Sequence, residues 1–64
     1  MDAVDRIRDG MVRRLRAGPA MFFDLLEAFP DEEYRDILRA WSAVRETTPL
    51  GRTEEGHYVL PKDS

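Results

Sequence analysis

Apolar residues recur at helical spacing along the first part of the chain. Val4, Ile7, Met11 and Leu15 fall on one stripe with Val12 at its edge, a pattern that predicts a helix over about 2–17. The opposite face holds Asp2, Arg6, Asp9 and Arg13. The pairs Asp2–Arg6 and Asp9–Arg13 stand four apart with the acid N-terminal, an orientation that supports an exposed helix by about 0.2–0.5 kcal/mol per pair. Gly10 inside this helix costs about 1 kcal/mol relative to alanine; it either admits close packing or is simply tolerated. Gly18-Pro19 then stops the helix, with Gly18 suited to a left-handed cap and Pro19 unable to continue.

Phe22, Leu25, Leu26 and Phe29 are spaced for burial on a short second helix over about 22–29, ended by Pro30. Asp31 is the expected N-cap of a third helix, over about 31–47, with Glu32 and Glu33 in its first turn, where exposed N–H groups favour negative charge. Tyr34, Ile37, Leu38, Trp41 and Val44 make a wide apolar stripe, and Arg35, Arg39, Ser42 and Glu46 form a column on the outer face. Thr47-Thr48-Pro49 terminates this helix. The rhythm then changes to two. Leu50-Gly51-Arg52-Thr53 and His57-Tyr58-Val59-Leu60 flank Glu54-Glu55-Gly56, which predicts a hairpin over about 50–60 with Gly56 at the position needing positive φ. Tyr58 and Leu60 share one face of its second strand, and His57 and Val59 the other. Pro61 ends the pairing, and Lys62-Asp63-Ser64 is expected to fray. The pattern predicts a single domain over 1–64, mainly α with a small β-hairpin.

Composition narrows the setting. At 64 residues, 42% of them apolar, the chain suits one small folded domain. Cysteine is absent, so neither a disulfide framework nor a cysteine zinc site is available. Asp2, Asp5 and Asp9 interrupt every apolar run near the N-terminus, and no stretch approaches the roughly 18 apolar residues of a membrane span. A cytoplasmic protein with no membrane partner is expected. The formal charge is −3. Nucleic-acid binders usually carry a basic surplus, so such a role needs a locally basic face.

Catalytic chemistry finds little to work with. His57 is the only histidine, and Ser42 and Ser64 are the only serines, so a nucleophile, a base and an orienting group do not assemble. Glu32-Glu33 and Glu54-Glu55 are adjacent carboxylates that a helix start and a turn explain better than acid–base work. Gly10, Gly18, Gly51 and Gly56 fit no phosphate-binding loop. No catalytic, cofactor-binding or metal-binding residue is expected, and the chain does not read as an enzyme.

Three segments resemble parts of one fold family. Arg16-Ala17-Gly18-Pro19-Ala20-Met21 resembles a glycine-containing break followed by a tiny strand, and Phe22 to Phe29 resembles a short second helix. Leu50-x-Arg52 with Glu55-Gly56-His57-Tyr58-Val59-Leu60 resembles a wing. In this order they resemble the winged helix-turn-helix superfamily, over roughly Val4 to Leu60. The resemblance implies three helices, a wing and binding to duplex DNA, with the third helix entering the major groove by its N-terminal part. It places Arg35, Arg39 and Ser42 on the recognition face, Arg52 on the wing, and Arg13 or Arg14 of helix one beside them; a homodimer would suit symmetric DNA sites. The chain departs from the family in having Thr47-Thr48-Pro49 where a glycine often closes the recognition helix. It also places Asp31-Glu32-Glu33 and Glu54-Glu55 where phosphate would lie. The spacings Glu32–Arg35 and Asp36–Arg39 allow partial neutralisation of the arginines. The alternative is a protein–protein interaction adaptor or accessory subunit whose acidic wing and helix start meet a basic protein surface.

Overall fold

A computed structural model describes residues 2–61. Three helices, α1 (Ala3–Ala17), α2 (Phe22–Glu27) and α3 (Tyr34–Thr47), precede an antiparallel hairpin of β1 (Gly51–Arg52) and β2 (Tyr58–Val59). The fold is therefore mainly helical with a small β-hairpin, as the change of hydrophobic rhythm predicts. The expected fraying of Lys62-Asp63-Ser64 lies outside the described residues.

Helix α1 begins at a true cap: the Asp2 carboxylate accepts a hydrogen bond from the Asp5 N–H at 2.9 Å. That role removes Asp2 from the expected pair with Arg6, which instead reaches Glu32 at 2.6 Å. Asp9 likewise lies beside Arg8 and not Arg13. Gly18 closes the helix, its N–H bonding to the Leu15 carbonyl at 3.2 Å. Its φ of 155° and ψ of 173° differ from the expected left-handed cap; this extended region is open almost only to glycine. The chain thereby leaves the helix directly into an extended segment. Ala20 then makes a one-residue antiparallel bridge to Tyr58, with N–H to carbonyl distances of 3.0 and 2.7 Å.

Helix α2 ends at Glu27, two residues before the predicted limit, because the Phe29 N–H bonds back to Leu26 in a tighter final turn at 3.2 Å. The start of α3 is displaced more. Asp31 is not its cap, and Glu32 and Glu33 do not fill its first turn. The turn after Pro30 runs on through Glu32, whose N–H bonds to the Phe29 carbonyl at 3.3 Å and whose carboxylate is held by Arg6 of α1. Glu33 takes the capping position with no side-chain bond to the helix. At the other end Thr48 is extended, as the residue before a proline tends to be.

Ile7, Met11 and Leu15 of α1 meet Ile37, Ala40, Trp41 and Val44 of α3, with Leu25 of α2 and Ala20 completing the buried centre. Leu50, Tyr58 and Leu60 fold against it from the hairpin. The apolar stripe of α3 is wider than the face it buries, which holds Ile37, Ala40, Trp41 and Val44. Tyr34 is 57% and Leu38 39% exposed.

The structure also decides between the two readings of Gly10. A Cβ there would stand 2.8 Å from the edge of the Phe29 ring, so the glycine admits a ring lying directly on the helix backbone. Gly10→Ala is expected to lower stability by about 1 kcal/mol despite its better helix propensity. In a Phe29→Ala background the same change should raise stability by about 1 kcal/mol. Denaturant titrations of the four proteins measure the cycle, and equal effects in both backgrounds would refute the contact.

The hairpin turns at Thr53–Gly56. The Gly56 N–H bonds to the Thr53 carbonyl at 3.0 Å, and Gly56 has a φ of 89°, as its position predicts. The His57 N–H bonds to the Thr53 hydroxyl at 3.0 Å, fixing the turn from its other side.

Candidate functional site

The outer face of α3 and the hairpin carry most of the residues singled out from the sequence. Helix geometry puts Arg35, Arg39 and Ser42 on the side of α3 away from the core, and all three are exposed. Their surroundings differ from the spacing-based expectation. Arg35 pairs with Glu33 at 3.1 Å, not with Glu32, and Arg39 forms no ion pair with Asp36 or any other described residue. Ser42 lines a shallow depression with Arg45 and Glu46. This side of α3 therefore mixes arginines with a carboxylate at its C-terminal end.

Arg52 is engaged within the hairpin. Its Nε donates to the Gly56 carbonyl at 3.1 Å, and its guanidinium lies over the Tyr58 ring at 4.4 Å from the centroid. The stack continues inward. Tyr58 meets Trp41 edge-on at 4.8 Å between centroids, and Trp41 meets Phe22 at 5.7 Å. With the Ala20–Tyr58 bridge, this row fixes the hairpin against α3 and α2.

Arg13 and Arg14 do not join this face. Arg13 is exposed on the side of α1 away from its buried stripe, in a groove with Arg6, Asp9, Gly10 and Phe29. Arg14 turns towards the end of its own helix and donates to the Gly18 carbonyl at 3.4 Å. The structure thus brings Arg35, Arg39 and Ser42 together, engages Arg52 within the hairpin and leaves Arg13 and Arg14 elsewhere.

The acidic residues keep the exposure that their sequence positions imply. Asp31 and Glu33 are exposed ahead of α3, and Glu54 and Glu55 are exposed at the hairpin tip. Among the described residues, no group of three His, Asp or Glu side chains could hold a metal ion. Among the same residues, no helix is long and apolar enough to cross a membrane.

Sequence reasoning missed the exposed apolar set: Met21, Phe23, Tyr34 and Leu38. For Tyr34 and Leu38 the signal was the width of the α3 stripe; Phe23 lies off the buried stripe of the second helix. No family model, curated protein or solved structure matches this chain.

Proposed function

We propose that this chain is a protein-docking domain built on a winged-helix scaffold, whose acidic α3 start and hairpin tip meet a basic protein surface. One observation carries the reading. The two places where a winged helix would approach phosphate are held by exposed carboxylates, Asp31 and Glu33 before α3 and Glu54 and Glu55 at the tip. Arg52, the wing cation that DNA binding would use, is committed to Gly56 and Tyr58. The scaffold itself is supported by the order of the elements and by the Ala20 bridge, which stands where the family has its first strand. Fold likeness alone does not assign a ligand, and the charge of the presented surface supports the docking reading.

DNA binding is the second reading, favoured by Arg39, which has no ion-pair partner among the described residues, beside Arg35 and Ser42. Anisotropy of a labelled random-sequence duplex, at low and moderate salt, separates the two. The expected result is no DNA binding even at low salt, and binding of a lysine-rich helical peptide that weakens as salt rises. Glu54→Gln with Glu55→Gln is expected to weaken the peptide by about threefold to tenfold. Steeply salt-dependent DNA binding that Arg35→Ala with Arg39→Ala abolishes, without unfolding the chain, would overturn the docking reading.

A further inference from the structure

Arg52 stands next to the acidic tip of the hairpin, yet it pairs with neither acid there. In the register of the two strands it lies directly across from Tyr58. Its Nε donates to the Gly56 carbonyl at 3.1 Å and its Nη1 to the Tyr58 hydroxyl at 3.4 Å. The guanidinium covers the Tyr58 ring at 4.4 Å from the centroid. Glu54 and Glu55 follow Arg52 closely in sequence and are exposed, and neither forms an ion pair with it among the described residues.

These contacts brace the turn. Thr53 closes it from one strand: its carbonyl accepts from the Gly56 N–H at 3.0 Å, and its hydroxyl accepts from the His57 N–H at 3.0 Å. The Thr53 N–H donates to the His57 carbonyl at 2.8 Å. The Gly56 carbonyl takes Arg52, and the ring beneath the guanidinium meets the buried Trp41 edge-on. One side chain thereby links the tip backbone to the core. Arginine suits this role because its flat guanidinium stacks on a ring while its N–H groups donate in the plane. Carboxylates carried on a fixed turn lose less freedom on binding than carboxylates on a loose one.

We infer that Arg52 is a positioning residue for the acidic tip: it holds the turn that presents Glu54 and Glu55, and it keeps its own charge on Gly56 and Tyr58, away from both carboxylates. The inference rests on the proposed docking of a basic protein surface and names the residue that makes the tip effective in it. Its consequence is opposite in sign to simple electrostatics. Removing a cation beside an acidic tip should tighten a cationic partner by charge alone. A lost brace weakens it.

The test is anisotropy of the labelled lysine-rich helical peptide with the full chain at low salt. Arg52→Ala is expected to weaken binding about threefold to tenfold. Arg52→Lys keeps the charge without the planar fork and should weaken it alongside the alanine variant. In a background of Glu54→Gln with Glu55→Gln, Arg52→Ala should change affinity by less than about twofold, because no charge is left to position. Hydrogen exchange of the Gly56 and His57 amides should quicken in the alanine variant, while circular dichroism confirms that every variant is folded. Binding that Arg52→Ala leaves unchanged or tightens overturns the inference, as does a lysine variant that binds like the parent. Equal weakening in both backgrounds overturns it by making Arg52 a direct contact, and unchanged amide exchange removes the brace. All of these leave the docking proposal in place. A parent that fails to bind the peptide removes that proposal itself, and this inference with it.

Discussion

Replacing Trp41 with alanine is expected to produce the largest loss of stability of any single substitution in this chain, about 3–5 kcal/mol. The indole is 7% exposed and stands between the rings of Phe22 and Tyr58, so its removal opens a cavity where α2, α3 and the hairpin meet. Truncating a buried tryptophan to alanine costs about 3–5 kcal/mol. A domain of this length has a total stability of about 3–10 kcal/mol at the usual per-residue value. The substitution therefore consumes a third of that total at best and all of it at worst. Thermal melting followed by far-ultraviolet circular dichroism measures the loss. Trp41→Phe keeps a ring between the two neighbours and is expected to remain folded. Equal melting of the alanine variant and the parent would remove Trp41 from the centre of the fold.

Leu25→Ala should produce the second largest effect, about 2–5 kcal/mol. Helix α2 has six residues, far below the length at which a helix holds itself together in water. Leu25 is its one fully buried side chain, and the other local support is the Asp24 carboxylate accepting from the Met21 N–H at 3.0 Å. With the leucine truncated, α2 loses its anchor, and Phe22 loses its fixed place against Trp41. Denaturant titration gives the stability change, and the near-ultraviolet signal of Trp41 reports the ring contact. A loss below about 1 kcal/mol would show that α2 is held by something other than Leu25.

The elements were legible wherever periodicity and stop signals coincide. Ile7, Met11 and Leu15 repeat at helical spacing up to Gly18-Pro19, and all three are buried. Gly56 declared its turn because the turn needs a backbone conformation that other residues resist. What escaped was tertiary. Asp31 is a good cap by local preference, but the Arg6–Glu32 contact joins residues far apart in sequence and draws the turn past it. Tyr34 and Leu38 extend the α3 stripe in spacing, yet burial depends on what lies opposite, and both remain exposed. At the candidate site, helix geometry placed Arg35, Arg39 and Ser42 correctly on one exposed face. The fate of Arg52 was hidden, because cross-strand stacking on Tyr58 follows from register, which only the folded hairpin reveals.

The hairpin's brevity limits how the protein can associate. Ala20 covers one side of β2, so β1 alone offers an open sheet margin, and it is two residues long with Pro49 close before it. The Arg52 guanidinium folds back towards Tyr58 beside that margin. Short, charged margins next to a proline give an incoming strand almost nothing to extend, which guards against fibrous aggregation. Contacts with other molecules are thereby directed to side chains on the helices and at the hairpin tip, not to backbone pairing.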